Sequence, residues 1–146
     1  FPAIARLGET TARMQLAQEV LERGYVLPVL AHKHAVIAAG VLFEPGCIVC
    51  AGAVLNPGVR LGAHVIINTG ATVDHDSLIE TGAHIGPGAH LAGHVQVGRG
   101  ANVGIGAAVI SRVTIGENAV IGAGAAVIHD VAAGQTVVGV PARPLP

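Results

Sequence analysis

Every sixth residue from Ile37 to Val127 is a large apolar one, sixteen in succession with no slip in register. Four residues after each of these stands a small side chain, drawn only from Val, Cys, Ala and Ser. Three residues after each stands glycine ten times, with His64, Asp76, His94, Arg112, Asn118 and Asp130 in the remaining places. An α-helix, with a period near 3.6, and a flat strand, with a period of 2, cannot sustain three phased rows of period six. A parallel β-helix can, because each hexad is a short strand plus a bend and stacked coils share one apolar interior. The large side chain fills the coil centre and the small one fits where the wall closes. The glycine row supplies a turn dihedral that is costly for a residue with a Cβ, and Asn and Asp are its usual substitutes. Asp76, Asn118 and Asp130 fit that rule, whereas His64, His94 and Arg112 strain it.

Composition supports a narrow interior. Apolar residues make up 51% of the chain but aromatics only 2%, so the core is a stack of aliphatics and alanines. A net charge of −1 gives no basic surface for nucleic acid, and no run of apolar residues is long enough for a membrane span. Burial of the large row alone does not offset the entropy of ordering the residues that carry it. Inter-coil strand ladders and subunit contacts must contribute, which predicts an oligomer.

The N-terminal residues read differently. Phe1 to Ala5 is a short apolar run, Glu9 to Arg23 is a helix closed by Gly24, and Val26 to Leu30 is a second short strand. The division expected is residues 1–34 as part of an α/β unit of Rossmann-like type, 35–131 as a β-helix of about five coils, and 132–146 as a C-terminal turn and tail. Some thirty residues cannot form an α/β domain alone and the chain starts with Phe, so a missing upstream segment is the expectation.

Two cysteines, Cys47 and Cys50, are spaced C-x-x-C. A redox motif needs a helix N-terminus and a zinc site needs a second ligand pair. Cys47 belongs to the small inward row, so packing is its expected role. Strings such as Gly86-Pro87-Gly88 and Gly104-Ile105-Gly106 follow from turn geometry. None lies between a strand and a helix, as a dinucleotide fingerprint requires.

Histidine carries the candidate chemistry, with eight in a chain poor in other polar side chains. His32 and His34 read as linker, and His64, His94 and His129 as exposed polar positions. His75 stands apart because Asp74 and Asp76 flank it. An adjacent carboxylate holds an imidazole in one tautomer and stabilises its cation, as a general base near neutral pH requires. Three hexads make a triangular coil of eighteen residues, so residue i lies above residue i+18 at the strand spacing of ~4.8 Å. Gly93 therefore stacks on His75, leaving open space and a bare backbone N–H suited to an oxyanion. His84 lies half a coil from His75, on another side of the prism. The two can share a site only where two subunits pack together.

The string Asn68 to Gly93, NTGATVDHDSLIETGAHIGPGAHLAG, with IGAGAAVIHDV (Ile121 to Val131) and VVGVPARPL (Val137 to Leu145), resembles the hexapeptide-repeat sugar acetyltransferases. The likeness is to the sialic-acid O-acetyltransferase and bacillosamine or perosamine N-acetyltransferase type. It covers roughly residues 26–145. The resemblance implies a left-handed β-helix, a cytoplasmic homotrimer with acetyl-CoA sites between subunits, and no metal. It also implies direct transfer of an acetyl group to the amine or hydroxyl of a sugar, with a nucleotide-linked 4-amino sugar as the expected acceptor. By the same resemblance His75 is the base, Asp76 ahead of Asp74 orients it, His84 contacts the thioester or acetyl carbonyl, and the Gly93 amide faces the oxyanion. Asn68 and Asp74 lie toward the acceptor, Ile105 and Ala123 line the pantetheine, and Ala142 and Arg143 lie near the nucleotide end of the cofactor. Relatives tend to carry an A-I-G-D-N type string where this chain reads Ala3-Ile4-Ala5-Arg6-Leu7.

Two other readings stay open on the sequence. A zinc carbonic anhydrase of hexapeptide fold would use histidines such as His64, His90 and His94, although His90 and His94 occupy different repeat positions. A non-catalytic structural β-helix would need neither the D-H-D motif nor a histidine half a coil away.

Overall fold

The computed structural model describes residues 10–145. Two-residue strands alternate with turns from Leu30 onward and form three parallel sheets of eight, six and five strands, the walls of a triangular prism. Each strand pairs with the one a full coil later: Leu30 with Ile48, Val36 with Val54, Leu42 with Arg60, and so on along the stack. The eighteen-residue coil read from the sequence is thus the coil of the structure.

The phased rows take the places their sizes dictate. Leu55, Ile67, Ile79, Ile85, Leu91, Ile115 and Ile121 fill the axis, and Ala53, Ala71, Ala83, Ala89 and Ala101 close the wall, all essentially without solvent contact. Cys47 is fully buried in the same row and its thiol donates to the Gly62 carbonyl at 3.1 Å, so packing is its role. Both cysteines are free.

The turn row also conforms. His64, Asp76, His94, Arg112 and Asn118 all have φ between 53° and 63°, the left-handed region that glycine occupies elsewhere in the row. Asp130 departs from the expectation. It is not left-handed, and its carboxylate instead accepts the Thr114 N–H at 2.7 Å as the chain leaves the regular coil. The expected cause of the G-x-G strings needs a correction. In Gly104-Ile105-Gly106 only Gly106 has positive φ, whereas at Gly104 a Cβ would sit 2.6 Å from the Ile121 carbonyl oxygen of the next coil. Coil-to-coil contact, not dihedral freedom, excludes a side chain there.

The stack has about six turns, against the five counted from the repeat. The added turn starts with Leu30–Ala31, which lies within the expected residues 1–34 segment yet pairs in register with Ile48–Val49. Val26 to Leu30, expected as a strand, is non-strand up to Val29. The helix runs Thr10–Glu22 and ends in a Schellman motif: Tyr25 N–H bonds the Val20 carbonyl, Gly24 N–H bonds the Leu21 carbonyl, and Gly24 has φ 81°. Arg13 ties the helix to the prism, its guanidinium donating to the carbonyls of His64 and Gly82 in successive coils. The expected strand at Phe1 to Ala5 lies outside the described residues. At the other end Thr136–Val138 adds a last rung and folds antiparallel onto Arg143–Pro144.

Candidate active site

His75 stands at the corner between Thr72–Val73 of the six-stranded sheet and Leu78–Ile79 of the five-stranded one. Its Nδ1 lies 3.0 Å from Asp76 Oδ2. A carboxylate only accepts, so the ring proton resides on Nδ1 and the lone pair on Nε2. The left-handed φ of 56° at Asp76 is what brings its carboxylate back alongside the preceding ring. Asp74 does other work. Its Oδ1 accepts the His75 backbone N–H at 2.8 Å and the Asn56 amide at 2.7 Å. Those two bonds, the first more than the second, hold the Asp74 carboxyl below the usual carboxylate range. Of the two acids, Asp76 touches the imidazole and Asp74 anchors the corner.

Gly93 lies one coil above, as read from the sequence, but the open space expected there is taken by the imidazole. A Cβ on Gly93 would stand 2.5 Å from His75 Nε2 and 2.7 Å from Cε1. The backbone of Gly93 is not left-handed, so what excludes a side chain here is the imidazole lying against it. The Gly93 N–H has no hydrogen-bond partner among the described residues. An uncommitted N–H beside the lone-pair nitrogen of a histidine is the pairing that acyl transfer uses: one group takes a proton, the other steadies an oxyanion.

Two residues to which the sequence reading gave no part in the site complete the corner. Ser77, the lone polar member of the small inward row, is buried. Its hydroxyl accepts the Val95 N–H at 3.1 Å and donates to the Ala92 carbonyl at 3.3 Å, bracketing Gly93 and His94. Its departure from the row's apolar character was a visible signal. His94, read as an exposed turn residue, packs edge-on against His75 with ring centroids 5.1 Å apart. Beside Asp76 a hollow of about 250 Å³ is lined by Gly58, Arg60, Asp76, Ser77 and Leu78.

His84 belongs to the eight-stranded sheet, so within one chain it is not at the His75 corner. It is buried, with Nε2 3.1 Å from Asn68 Nδ2. Asn68 Oδ1 accepts the Thr69 N–H at 2.8 Å, which turns the amide nitrogen toward the ring and leaves the ring proton on Nδ1. Burial, with a smaller contribution from the Arg13 guanidinium, pushes the His84 imidazole below the usual histidine range, and the same two causes lower His64. Asn68 therefore orients a neutral histidine in this chain. Ile105 and Ala123 are exposed corner residues on successive coils, Gly124 N–H bonding the Ile105 carbonyl. Ala142 packs against the last coil with its N–H on the Ala126 carbonyl, and Arg143 is exposed on the terminal hairpin. Of the histidines a zinc hydrolyase reading would use, His64 lies over Gly46 and His90 is paired with Thr72 Oγ1 at 2.9 Å; neither stands in a metal-ligating group with His94.

The lowered His84 and His64 have a consequence for acid stability. In the unfolded chain both titrate near 6.5, so as pH falls through that value the unfolded state binds protons that the native state refuses. Their contribution is present above about pH 6.5 and lost below it. The melting temperature is expected to fall between pH 7.5 and pH 5. In His84→Gln the fall is expected to be smaller. Thermal melts by circular dichroism across that range check it, and an identical slope in the variant removes His84 as the cause.

No family model matches the chain, and no curated protein matches it significantly. Solved structures do. The chain is 37% identical to a histidine-to-alanine variant of the GDP-perosamine N-acetyltransferase of Caulobacter crescentus, solved with CoA and GDP-perosamine; 96% of this chain aligns with 67% of that one at a TM-score of 0.93. It is 40% identical to the acetyltransferase domain of PglB from Neisseria gonorrhoeae, solved with acetyl coenzyme A, over 95% of this chain and 68% of that one at a TM-score of 0.92. WeeI from Acinetobacter baumannii is 28% identical over 95% of this chain and 68% of its own, with a TM-score of 0.78. The shared fold is the left-handed β-helix, the hand that crossover preference alone would not select.

Proposed function

The chain belongs to the hexapeptide-repeat sugar acetyltransferases, and from that membership we propose that His75 drives direct transfer of an acetyl group from acetyl-CoA to the amine of a nucleotide-linked 4-amino sugar. The observation that carries this is the contact of His75 Nε2 with Gly93 while Nδ1 is held by Asp76. Acetyl-CoA is the donor co-substrate.

The amine lone pair attacks the thioester carbonyl, forming the N–C bond. The oxyanion that develops is met by the Gly93 N–H, and the ammonium proton passes to His75 Nε2. As the tetrahedral species collapses, the C–S bond breaks and the proton leaves with CoA as its thiol. Asp76 steadies the transient imidazolium. A neutral His84, donating from Nδ1, binds the acetyl carbonyl or thioester without introducing a charge. His75 and His84 of one chain lie on different parts of the prism, so the site is completed at a subunit interface, with His84 contributed by a neighbour in a homotrimer. Asn68 holds His84 on the acceptor side of that interface. Ile105 and Ala123 form the corner column along which pantetheine lies, and Ala142 and Arg143 receive the nucleotide end of the cofactor. A supply of acetyl-CoA implies the cytoplasm, and no helix among the described residues is long and apolar enough to cross a membrane.

The test is to incubate the chain with acetyl-CoA and a panel of nucleotide-linked amino sugars, GDP-perosamine among them, and follow loss of the thioester together with acceptor mass. A gain of one acetyl group on a 4-amino sugar is the expected result. Thioester loss without acetylated acceptor, or no turnover on any member, rejects it.

A further inference from the structure

The corner that holds the base also gathers ligands for a transition metal. His75, Asp76 and His94 each present one ligand atom, and these atoms lie within 4.8 Å of one another, the one such group among the described residues. All three side chains are exposed, so small rotations bring them to the separation a four-coordinate ion needs, about 3.3–3.6 Å for bonds of about 2.0–2.2 Å. Asp76 and His94 are one coil apart in the turn row and both are left-handed, with φ of 56° and 60°. A glycine would satisfy that dihedral without strain. The chain instead spends it on two side chains that converge beside His75.

We propose that His75, Asp76 and His94 form an inhibitory site for a divalent transition cation, with Zn²⁺ as its occupant. Two imidazoles and one carboxylate suit zinc and disfavour Mg²⁺ and Ca²⁺, which take oxygen ligands. A metal there takes the imidazole lone pair or the carboxylate that orients it, and either removes proton acceptance from the corner. Zinc binding stands on the geometry alone; its inhibitory consequence rests on the acetyl-transfer reading above.

Calorimetric titration of Zn²⁺ into the intact chain is expected to show one saturating site per protomer. In His94→Gly its affinity is expected to fall at least about tenfold, since even outer-shell partners of a metal contribute 10–100-fold. That variant restores the residue the turn row favours, so the fold is retained. His34→Ala, which removes the other close histidine pair, is expected to keep the site. Thioester loss is measured in parallel: half-inhibition of the wild-type chain by Zn²⁺, reversed by chelator, is expected to need at least tenfold more zinc in His94→Gly, each taken relative to its own metal-free rate. Equal zinc affinity in wild type and His94→Gly overturns the site. Zinc binding lost in His94→Gly together with inhibition unchanged overturns the inhibitory role. A wild-type chain with no metal-free turnover would reject the acetyl-transfer reading and leave the titration to decide the site.

Discussion

Replacing His75 with alanine is expected to lower kcat by 10²–10⁴-fold, the usual contribution of a positioned general base, while the affinity for acetyl-CoA stays close to that of the wild type. The selectivity follows from where the side chain stands. His75 is half exposed, with side-chain relative accessibility of 51%, and among the described residues its ring hydrogen-bonds only Asp76, so truncation opens no cavity in the apolar stack. The fold around it is carried by backbone ladders that do not involve the imidazole: Asp76 N–H on the Pro57 carbonyl, and His94 N–H on the His75 carbonyl. Initial rates of thioester loss and calorimetry with acetyl-CoA separate the two effects. A kcat within about threefold of wild type would remove His75 from the chemistry, and a parallel collapse of cofactor affinity would reassign it to binding.

The second large effect comes from a single methyl group. Gly93→Ala puts a Cβ 2.5 Å from His75 Nε2, well inside van der Waals contact, so the imidazole must swing away from Asp76 and from the Gly93 N–H. A displacement of about 1 Å at a reacting group costs on the order of 100-fold, and kcat is expected to fall by at least that. Stability is expected to hold or rise slightly. The backbone at Gly93 is not left-handed, alanine restricts the unfolded chain, and the three atoms nearest the new Cβ belong to an exposed side chain that can yield. Activity and melting temperature should therefore separate, with kcat lost and Tm kept. A variant that loses both would mean that Gly93 serves coil stacking, as Gly104 does, and not the base.

These two variants probe one object from its two sides, and the sequence showed the sides unequally. The D-H-D string and the eighteen-residue coil were legible, and with them the vertical neighbour Gly93. What occupied the space over that glycine was not, because the rotamer of His75 depends on Asp76 folding back through a left-handed φ. The choice between Asp74 and Asp76 was likewise open in the sequence, where both are adjacent to His75. In three dimensions one accepts a backbone N–H and the other the ring proton. Ser77 and His94 were each visible as departures from their rows, but their partners lie on the neighbouring coil, so the departures had no address until the coils were stacked.

The period determined the stacked β-helix, and the family resemblance its left hand. A solenoid places each residue in the environment of the residue one coil away, so a rule about size or turn conformation repeats along the chain and is read directly from it. The number of turns, the docking of the N-terminal helix through Arg13, the tautomers of His75 and His84, and the gathering of His75, Asp76, Gly93 and His94 at one corner were decided only by the tertiary structure. Those depend on which side-chain rotamers and uncommitted backbone groups meet between coils, and such meetings leave no periodic trace.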